Sequence, residues 1–220
     1  MTNKPEYTRY LPHYHHIGAT FFVTYRLDGS LPKSFLDSLS LWYHAELNKI
    51  EAQVPSSEKG SAIYMLQRDY FRKFDAALDQ CLCGPTFLKD PAAANKAIEQ
   101  LTRFDGEFYH LKGYTIMPNH VHALMDFSVQ LDPKDGTSKD DYKNLDYVMN
   151  RIKGASSRYI NMVLDRTGKA CWQREYHDRY IRDHRHLLAS VDYLKQNVVS
   201  ARICKHWKEH PFTWVSEEFW

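Results

Sequence analysis

The chain has 220 residues, of which 43% are hydrophobic and 25% charged, and its formal net charge is +2. These proportions are typical of a globular protein, and the length predicts a single domain over residues 1–220 with room for an elaborated region. No stretch reaches the roughly 18 to 20 consecutive apolar residues of a membrane span. The first residues also lack the apolar segment of a secretory signal. We therefore expect neither a membrane protein nor a secreted one.

The cysteines indicate the compartment. There are four of them: Cys81, Cys83, Cys171 and Cys204. The spacing of the first two does not fit a zinc knuckle, and no second pair completes such a site. Because the four do not form a disulfide framework either, we expect a reducing, cytoplasmic location.

The first half of the chain predicts one strand followed by helices. Residues 18–27 are β-branched and aromatic, with Phe21, Val23 and Tyr25 on one face, which is typical of an interior strand. Asp90 is predicted to cap a helix. The predicted helices span residues 31–49, 62–82 and 92–102, with a polar loop over 51–60. Residues 31–105 therefore form an elaborated helical region whose function the sequence does not reveal.

The second half predicts a hairpin, two further helices and a tail. The predicted strands are 107–117, 119–127 and a short one within 170–181, with a polar loop over 128–141. One predicted helix is capped by Asp141 and runs to about residue 164; another is capped by Asp183 and spans 185–199. Residues 206–220 are aromatic and are expected to pack on the body as a tail. This order favours an α+β fold with a small, mostly antiparallel sheet, ferredoxin-like or RRM-like, flanked by helices.

Apolar residues recur at helical spacing in the helix predicted to end near residue 164. They are Leu145, Val148, Met149, Ile152, Tyr159 and Val163. This spacing predicts that they form the buried stripe of the helix.

Two histidines lie two residues apart in the second strand of the predicted hairpin, in His120-Val121-His122. Side chains two apart in a strand point to one face, so both imidazoles project together while Val121, Ala123 and Met125 face the core. Two imidazoles placed in this way suit one shared divalent ion. The motif alone leaves open a second interpretation, two polar residues on a solvated face, in a chain with 12 histidines.

The last predicted helix contains a tyrosine that lies off its apolar stripe. The stripe comprises Leu187, Val191, Leu194 and Val198. At about 100° per residue, Tyr193 falls on the opposite side. Asn197 lies one turn further on, where its amide oxygen would join an ion that Tyr193 approaches. This pattern alone leaves open the alternative of an exposed tyrosine without a special role.

Positive charge is concentrated in the C-terminal third. From Arg151 to Lys205 there are 12 Lys and Arg and 5 Asp and Glu, which gives +7 and leaves −5 for the rest of the chain. Such a region suggests a polyanion partner, and interleaved aromatic residues suit stacking on unpaired bases. The candidate DNA-binding residues are Arg151, Lys153, Arg158, Arg174, Arg179 and Arg182. Solvated helix faces are the alternative, and Trp172 and Tyr180 fit a core position equally well.

Several motifs in order resemble a known family. Met117-Pro118-Asn119-His120-Val121-His122 is followed about 70 residues later by Tyr193-Leu194-Lys195-Gln196-Asn197. These two motifs resemble the HUH single-tyrosine transposases. Four further segments narrow the resemblance to the REP-associated tyrosine transposases: Tyr7-Thr8-Arg9-Tyr10, Thr20-Phe21-Phe22-Val23-Thr24, Trp172-Gln173-Arg174-Glu175-Tyr176-His177-Asp178 and Ile181-Arg182-Asp183. The ordered match spans most of the chain, so it is more specific than either short motif.

The resemblance implies a site and a reaction. In that family the two histidines bind Mg²⁺ or Mn²⁺, a helix-borne amide completes the site, and the tyrosine four residues before the amide attacks DNA. These roles would fall on His120 and His122, on Asn197 and on Tyr193. The implied substrate is single-stranded DNA with REP-like hairpins, cleaved and rejoined through a 5′-phosphotyrosine. A monomer and a homodimer both remain open.

The chain departs from the family pattern at two places. Val198-Val199-Ser200 follows the asparagine where the family usually has Pro-Val-Lys or Pro-Val-Arg, which alters the helix end and removes one basic DNA contact. The region 31–105 is also longer than minimal members need. Two other functions fit the same residues: a metal-dependent hydrolase that uses water, and a non-catalytic DNA-binding regulator derived from a transposase. The presence of all the ligands and of Tyr193 argues against the second.

Overall fold

The computed structural model describes residues 16–81, 83–131 and 141–220, and also the backbone of two short strands. These strands, β1 (Glu6–Thr8) and β2 (Pro12–Tyr14), pair with each other antiparallel. Residues 9–10 of the opening motif and 132–140 of the predicted polar loop lie outside the described residues.

The chain divides into two compact units. A sheet-bearing unit comprises Met1–Asp28 and Thr86–Trp220, and a helical unit comprises Gly29–Pro85. The helical unit accounts for the larger part of the region 31–105 that is predicted to be an elaboration, while residues 86–105 fall in the sheet-bearing unit. The extent of a single domain over 1–220 stays a prediction. No helix among the described residues combines the length and the apolar character needed to cross a membrane.

The helical unit is a hairpin of α1 (Lys33–Gln53) and α2 (Ser56–Asp79). The Tyr43 and Tyr70 rings meet edge to face at 5.3 Å between centroids. The polar loop predicted over 51–60 is wrong, because only Val54 and Pro55 separate the helices. Pro55 forces the residue before it into an extended conformation, which ends α1, and its own fixed φ lets the next helix begin at once.

Five strands form one antiparallel sheet in the order β6-β3-β5-β4-β7. The strands are β3 (Thr20–Arg26), β4 (His110–Ile116), β5 (His120–Asp126), β6 (His177–Tyr180) and β7 (Thr213–Val215). The helices α3 (Pro91–Thr102) and α4 (Leu145–Val163) precede β4 and β6, respectively. Without β7, this is the βαββαβ strand order of ferredoxin-like folds. The α+β prediction with an antiparallel sheet is therefore confirmed.

One face of the sheet packs on α3 and α4 and forms the hydrophobic core. The strand residues in this core include Phe21, Val23, Tyr25, Val121, Ala123 and Met125, as the alternation in the sequence predicts. The predicted cap of α3 is also confirmed, because the Asp90 carboxylate accepts from the Ala92 N–H at 2.8 Å. Burial of these side chains is the main stabilising contribution on this face.

The predictions for α4 need two corrections. Its cap is Asn144, whose side chain accepts from the Tyr147 N–H at 3.0 Å, and not Asp141. Tyr159 and Val163 are 37% and 43% exposed and do not belong to the buried stripe. The far end of the helix buries Ser156 and Ile160 instead. The Trp172 indole donates to Ser156 Oγ at 2.9 Å, which brings that side of the helix onto the core.

The predicted tail contributes a strand. Within residues 206–220, β7 pairs with β4 through Gly113–Val215, Tyr114–Trp214 and Thr115–Thr213, and it becomes an edge of the sheet. A strand of three residues is too short to show the alternation by which longer strands are recognised. The sequence pattern therefore predicts that the segment packs on the body but does not predict how.

The last helix, α5 (His184–Ser200), packs on the other face of the sheet, against β4, β5 and β7. Its cap is confirmed, because the Asp183 carboxylate accepts from the His186 N–H at 2.7 Å. Gly113 on β4 permits the close approach. A Cβ at that position would lie 3.0 Å from Leu194 Cδ1 and 3.1 Å from the Trp214 carbonyl oxygen.

Candidate metal and nucleophile site

The two histidines of the β5 motif meet on the α5 face of the sheet. His120 Nε2 and His122 Nε2 lie 3.0 Å apart, with the ring planes at 76°. Both side chains are 0% exposed, so the interpretation as polar residues on a solvated face is wrong. Val121, Ala123 and Met125 point to the opposite face, as the two-residue period of a strand requires.

Each imidazole is oriented by a hydrogen bond at its other nitrogen. His120 Nδ1 lies 2.7 Å from Asn119 Oδ1, and His122 Nδ1 lies 2.7 Å from Thr24 Oγ1. An amide oxygen only accepts, so His120 donates from Nδ1 and keeps a lone pair on Nε2. Such outer hydrogen bonds fix the rings of metal-binding histidines in proteins.

The electrostatics of the pair favour neutral imidazoles. Burial lowers the pKa of His120 to about 3. Burial also lowers the pKa of His122 well below its ordinary value, and His120 and Arg179 lower it further. A histidine ligates a metal through the lone pair of its neutral ring, so both side chains are in the form that binding requires.

Tyr193 lies beside the pair, on α5. Its ring centre is 5.8 Å from that of His122 and 5.7 Å from that of Phe22. It lies off the apolar stripe, as predicted, but it does not point away from the sheet, because the buried face of α5 also includes Ser190 and Asn197. A helix lying on a sheet buries a wide stripe, and Tyr193 is half-buried at the margin of that stripe.

Asn197 lies one turn beyond Tyr193 and is 3% exposed. Its Oδ1 has no hydrogen-bond partner among the residues that the structure describes. Buried acceptors are nearly always satisfied, so an orphaned amide oxygen at this place fits a ligand for a cation. A carbonyl oxygen suits Mg²⁺ and Mn²⁺, whereas imidazoles favour transition metals, so this set of ligands fits Mn²⁺ better than Mg²⁺. That Asn197 and the two histidines meet around one ion stays a prediction.

Positive charge also lies on the α5 face. Arg179 on β6 is the ladder partner of Phe22 on β3. Its guanidinium carbon lies 5.6 Å from the centre of the Phe22 ring. Burial lowers the pKa of His186 to about 4, and the charges of Arg179 and Arg182 contribute to this shift. The Asp183 carboxylate acts in the opposite direction. The charge of Arg179 therefore acts on both His122 and His186, and Arg182 lies beside His186 at the start of α5.

The other four candidate DNA-binding residues lie on or beside α4, on the opposite face of the sheet. Lys153 Nζ donates to the Arg174 carbonyl oxygen at 2.6 Å. The Arg151 guanidinium lies 4.8 Å from the Tyr147 ring centre, and Arg158 is exposed. The structure therefore separates these four residues from Arg179, whose charge acts on His122, and from Arg182, which lies beside His186 at the start of α5.

The aromatic residues of the basic third have different environments. Trp172 is a core residue, with 9% exposure and a ring contact of 4.8 Å to Tyr25. Tyr176 is buried, and its hydroxyl donates to Asp146 Oδ1 at 2.6 Å. Tyr180 is 36% exposed. Of the three, Tyr180 has the most exposed side chain.

Three residues of the site were not identified from the sequence. Asn119 and Thr24 bond the histidine rings, and Phe22 contacts both His122 and Tyr193. The alternation of the first predicted strand does place Phe22 and Thr24 on the face opposite the core. Which residue of β5 each of them meets depends on the strand register, which the sequence pattern does not contain.

Comparisons with known proteins gave one similar structure. No family model matches the chain, and no curated protein matches it. Among solved structures, the chain is similar to a REP-associated tyrosine transposase bound to a REP hairpin, with 16% identity and a TM-score of 0.48 over 94% of this chain and 81% of that one. A likeness at this identity and TM-score does not by itself assign a function to the chain.

Proposed function

We propose that this protein is a metal-dependent, single-tyrosine DNA transposase and endonuclease that cleaves and rejoins single-stranded DNA. The observation that carries the proposal is the position of Tyr193, whose ring centre lies 5.8 Å from that of His122, one of two histidines with Nε2 atoms 3.0 Å apart. A nucleophile next to a candidate metal site is what phosphodiester cleavage without water requires. The resemblance of the sequence motifs to the REP-associated tyrosine transposases supports the same reaction.

His120, His122 and Asn197 would hold the ion, with Mg²⁺ or Mn²⁺ as the proposed cofactor. When bound, a divalent ion would polarise the scissile phosphate and offset the charge that builds on its oxygens. Two imidazoles and one amide leave coordination positions open for substrate. Because both rings are withdrawn from solvent, binding of a phosphate there requires the residues around them to rearrange.

Tyr193 is the proposed nucleophile. A phenol has a pKa of about 10 and attacks poorly at neutral pH unless it loses its proton in the reaction. The tyrosine oxygen forms a bond to phosphorus, the bond to the 3′ oxygen breaks, and that oxygen takes up a proton. The products are a 5′-phosphotyrosine and a free 3′-OH. Attack by a 3′-OH reverses the step, so the strand is rejoined without ATP.

The proposed substrate is single-stranded DNA with REP-like hairpins. This choice follows from the resemblance, because no residue of the site identifies a base sequence. Arg179, whose charge acts on His122, and Arg182, at the start of α5, are the basic residues best placed to contact phosphates of a strand that reaches Tyr193. Arg151, Lys153, Arg158 and Arg174 would contact DNA only where it passes the α4 face. We place the reaction in the cytoplasm, by a monomer or a homodimer.

A denaturing gel tests the proposal. Hairpin oligonucleotides labelled at either the 3′ or the 5′ end are incubated with the protein in Mn²⁺ or in EDTA. We expect the 3′ label to migrate with the protein and the 5′ label to be released, in Mn²⁺ only. Cleavage that leaves both labels free of protein would indicate a metal-dependent hydrolase. Binding without cleavage would indicate a DNA-binding regulator.

A further inference from the structure

His122 lies between two buried threonines in one row across the sheet. Thr24 on β3 and Thr115 on β4 are its ladder partners on either side. Thr24 Oγ1 is 2.7 Å from His122 Nδ1, whereas Thr115 Oγ1 is 2.6 Å from Thr213 Oγ1. Both threonines are at most 1% exposed. The two residues are alike in type, burial and position, and they differ in whether the hydroxyl meets an imidazole.

Thr24 bonds the His122 ring at the nitrogen away from His120. Thr24 Oγ1 lies 2.7 Å from His122 Nδ1, whereas the other ring nitrogen, Nε2, lies 3.0 Å from His120 Nε2. The ring cannot turn its Nε2 away from His120 without breaking the bond to Thr24.

An ion held by both Nε2 atoms would require each of them to offer a lone pair, with the proton of each neutral ring on Nδ1. The Asn119 amide oxygen next to His120 Nδ1 and the Thr24 hydroxyl oxygen next to His122 Nδ1 can both accept such a proton. Thr24 would therefore do for His122 what Asn119 does for His120.

We propose that Thr24 is a positioning residue of the metal site, which holds the His122 ring with its Nε2 directed at His120 and accepts the Nδ1 proton of His122 when an ion binds. The inference rests on the proposed function, since it concerns the same ion. Thr24 itself does not contact the ion or the DNA.

The test compares Thr24→Val with Thr24→Ser and with the matched control Thr115→Val, each in the full chain. Mn²⁺ affinity is measured by calorimetry and by the electron paramagnetic resonance of free Mn²⁺. We expect Thr24→Val to weaken binding by roughly 10- to 100-fold, the usual effect of losing an outer hydrogen bond to a ligand. Thr24→Ser should restore the affinity, and Thr115→Val should leave it unchanged. Equal affinities for Thr24→Val and the unaltered protein would overturn the inference, as would an equal loss in Thr115→Val.

A second measurement separates this inference from the proposed function. Nitrogen-15 NMR of the imidazoles with Mg²⁺ added should show both rings protonated on Nδ1, and Thr24→Val should change the signals of His122 but not those of His120. Unchanged His122 signals in Thr24→Val would refute the role of Thr24. If the unaltered protein binds neither Mn²⁺ nor Mg²⁺, then the proposed function fails and the metal role of Thr24 fails with it. Thermal unfolding of both valine variants shows whether each still folds.

Discussion

The two faces of the sheet are stabilised in different ways, although they share the same strands. On the α3–α4 face, β5 contributes Val121, Ala123 and Met125 to an apolar core. On the α5 face, the same strand contributes two fully buried histidines held by short hydrogen bonds. Apolar burial is non-directional, whereas buried polar groups are costly unless their partners are correctly placed. The comparison indicates that substitutions on the α3–α4 face should alter the stability of the protein. Substitutions on the α5 face should alter metal binding and DNA cleavage.

The largest expected effect comes from removing the proposed nucleophile on the α5 face. Tyr193→Phe should reduce formation of the covalent DNA adduct by at least about 10³-fold, because the attacking oxygen is lost. DNA affinity should be retained, since the basic residues remain. Adduct yield on a denaturing gel and a gel-shift titration measure the two quantities.

Tyr176→Phe and Tyr180→Phe are the matched controls. Tyr176 is bonded to Asp146, and Tyr180 contacts Phe21, a residue of the α3–α4 core. Neither change should reduce the adduct. If one of them abolishes it while Tyr193→Phe does not, the division of the sheet into a structural and a chemical face is incorrect.

A pair of substitutions on β5 tests the two faces of one strand. Met125→Ala should lower the free energy of unfolding by about 2 to 5 kcal/mol, since it leaves a cavity in the core, without changing Mn²⁺ affinity. His122→Ala should abolish Mn²⁺ binding. Denaturant unfolding and calorimetry give both quantities for each variant. Equal losses of Mn²⁺ affinity in the two variants would show that the faces are coupled through the strand.

The smallest expected effect concerns which face of the sheet the DNA strand contacts. In a Tyr193→Phe background, neutralising Arg179 and Arg182 together should flatten the slope of log affinity against log salt by about 1.4, since each phosphate contact on single-stranded DNA contributes roughly 0.7. Neutralising Arg151 and Arg158 on α4 should leave the slope unchanged. The reverse result would place the strand across α4, against the position of Tyr193.

Local signals in the sequence determined much of the fold and the direction of its key side chains. Alternation in residues 18–27 and around His120 predicts which side chains face the core, and the caps Asp90 and Asp183 are placed correctly. Each of these signals acts over a few neighbouring residues, through backbone geometry and side-chain hydrogen bonds to the first turn. The α+β class follows from the order of such segments.

Only the tertiary structure decided which of these segments meet. Thr24 and His122 are 98 positions apart in the chain, and their contact exists because β3 pairs with β5 in one particular register. The same pairing, with α4 packed on one face and α5 on the other, separates Arg158 from Tyr193, although both belong to one basic region of the sequence. Strand register and helix packing are set by the burial of whole faces, which no short stretch of residues encodes by itself.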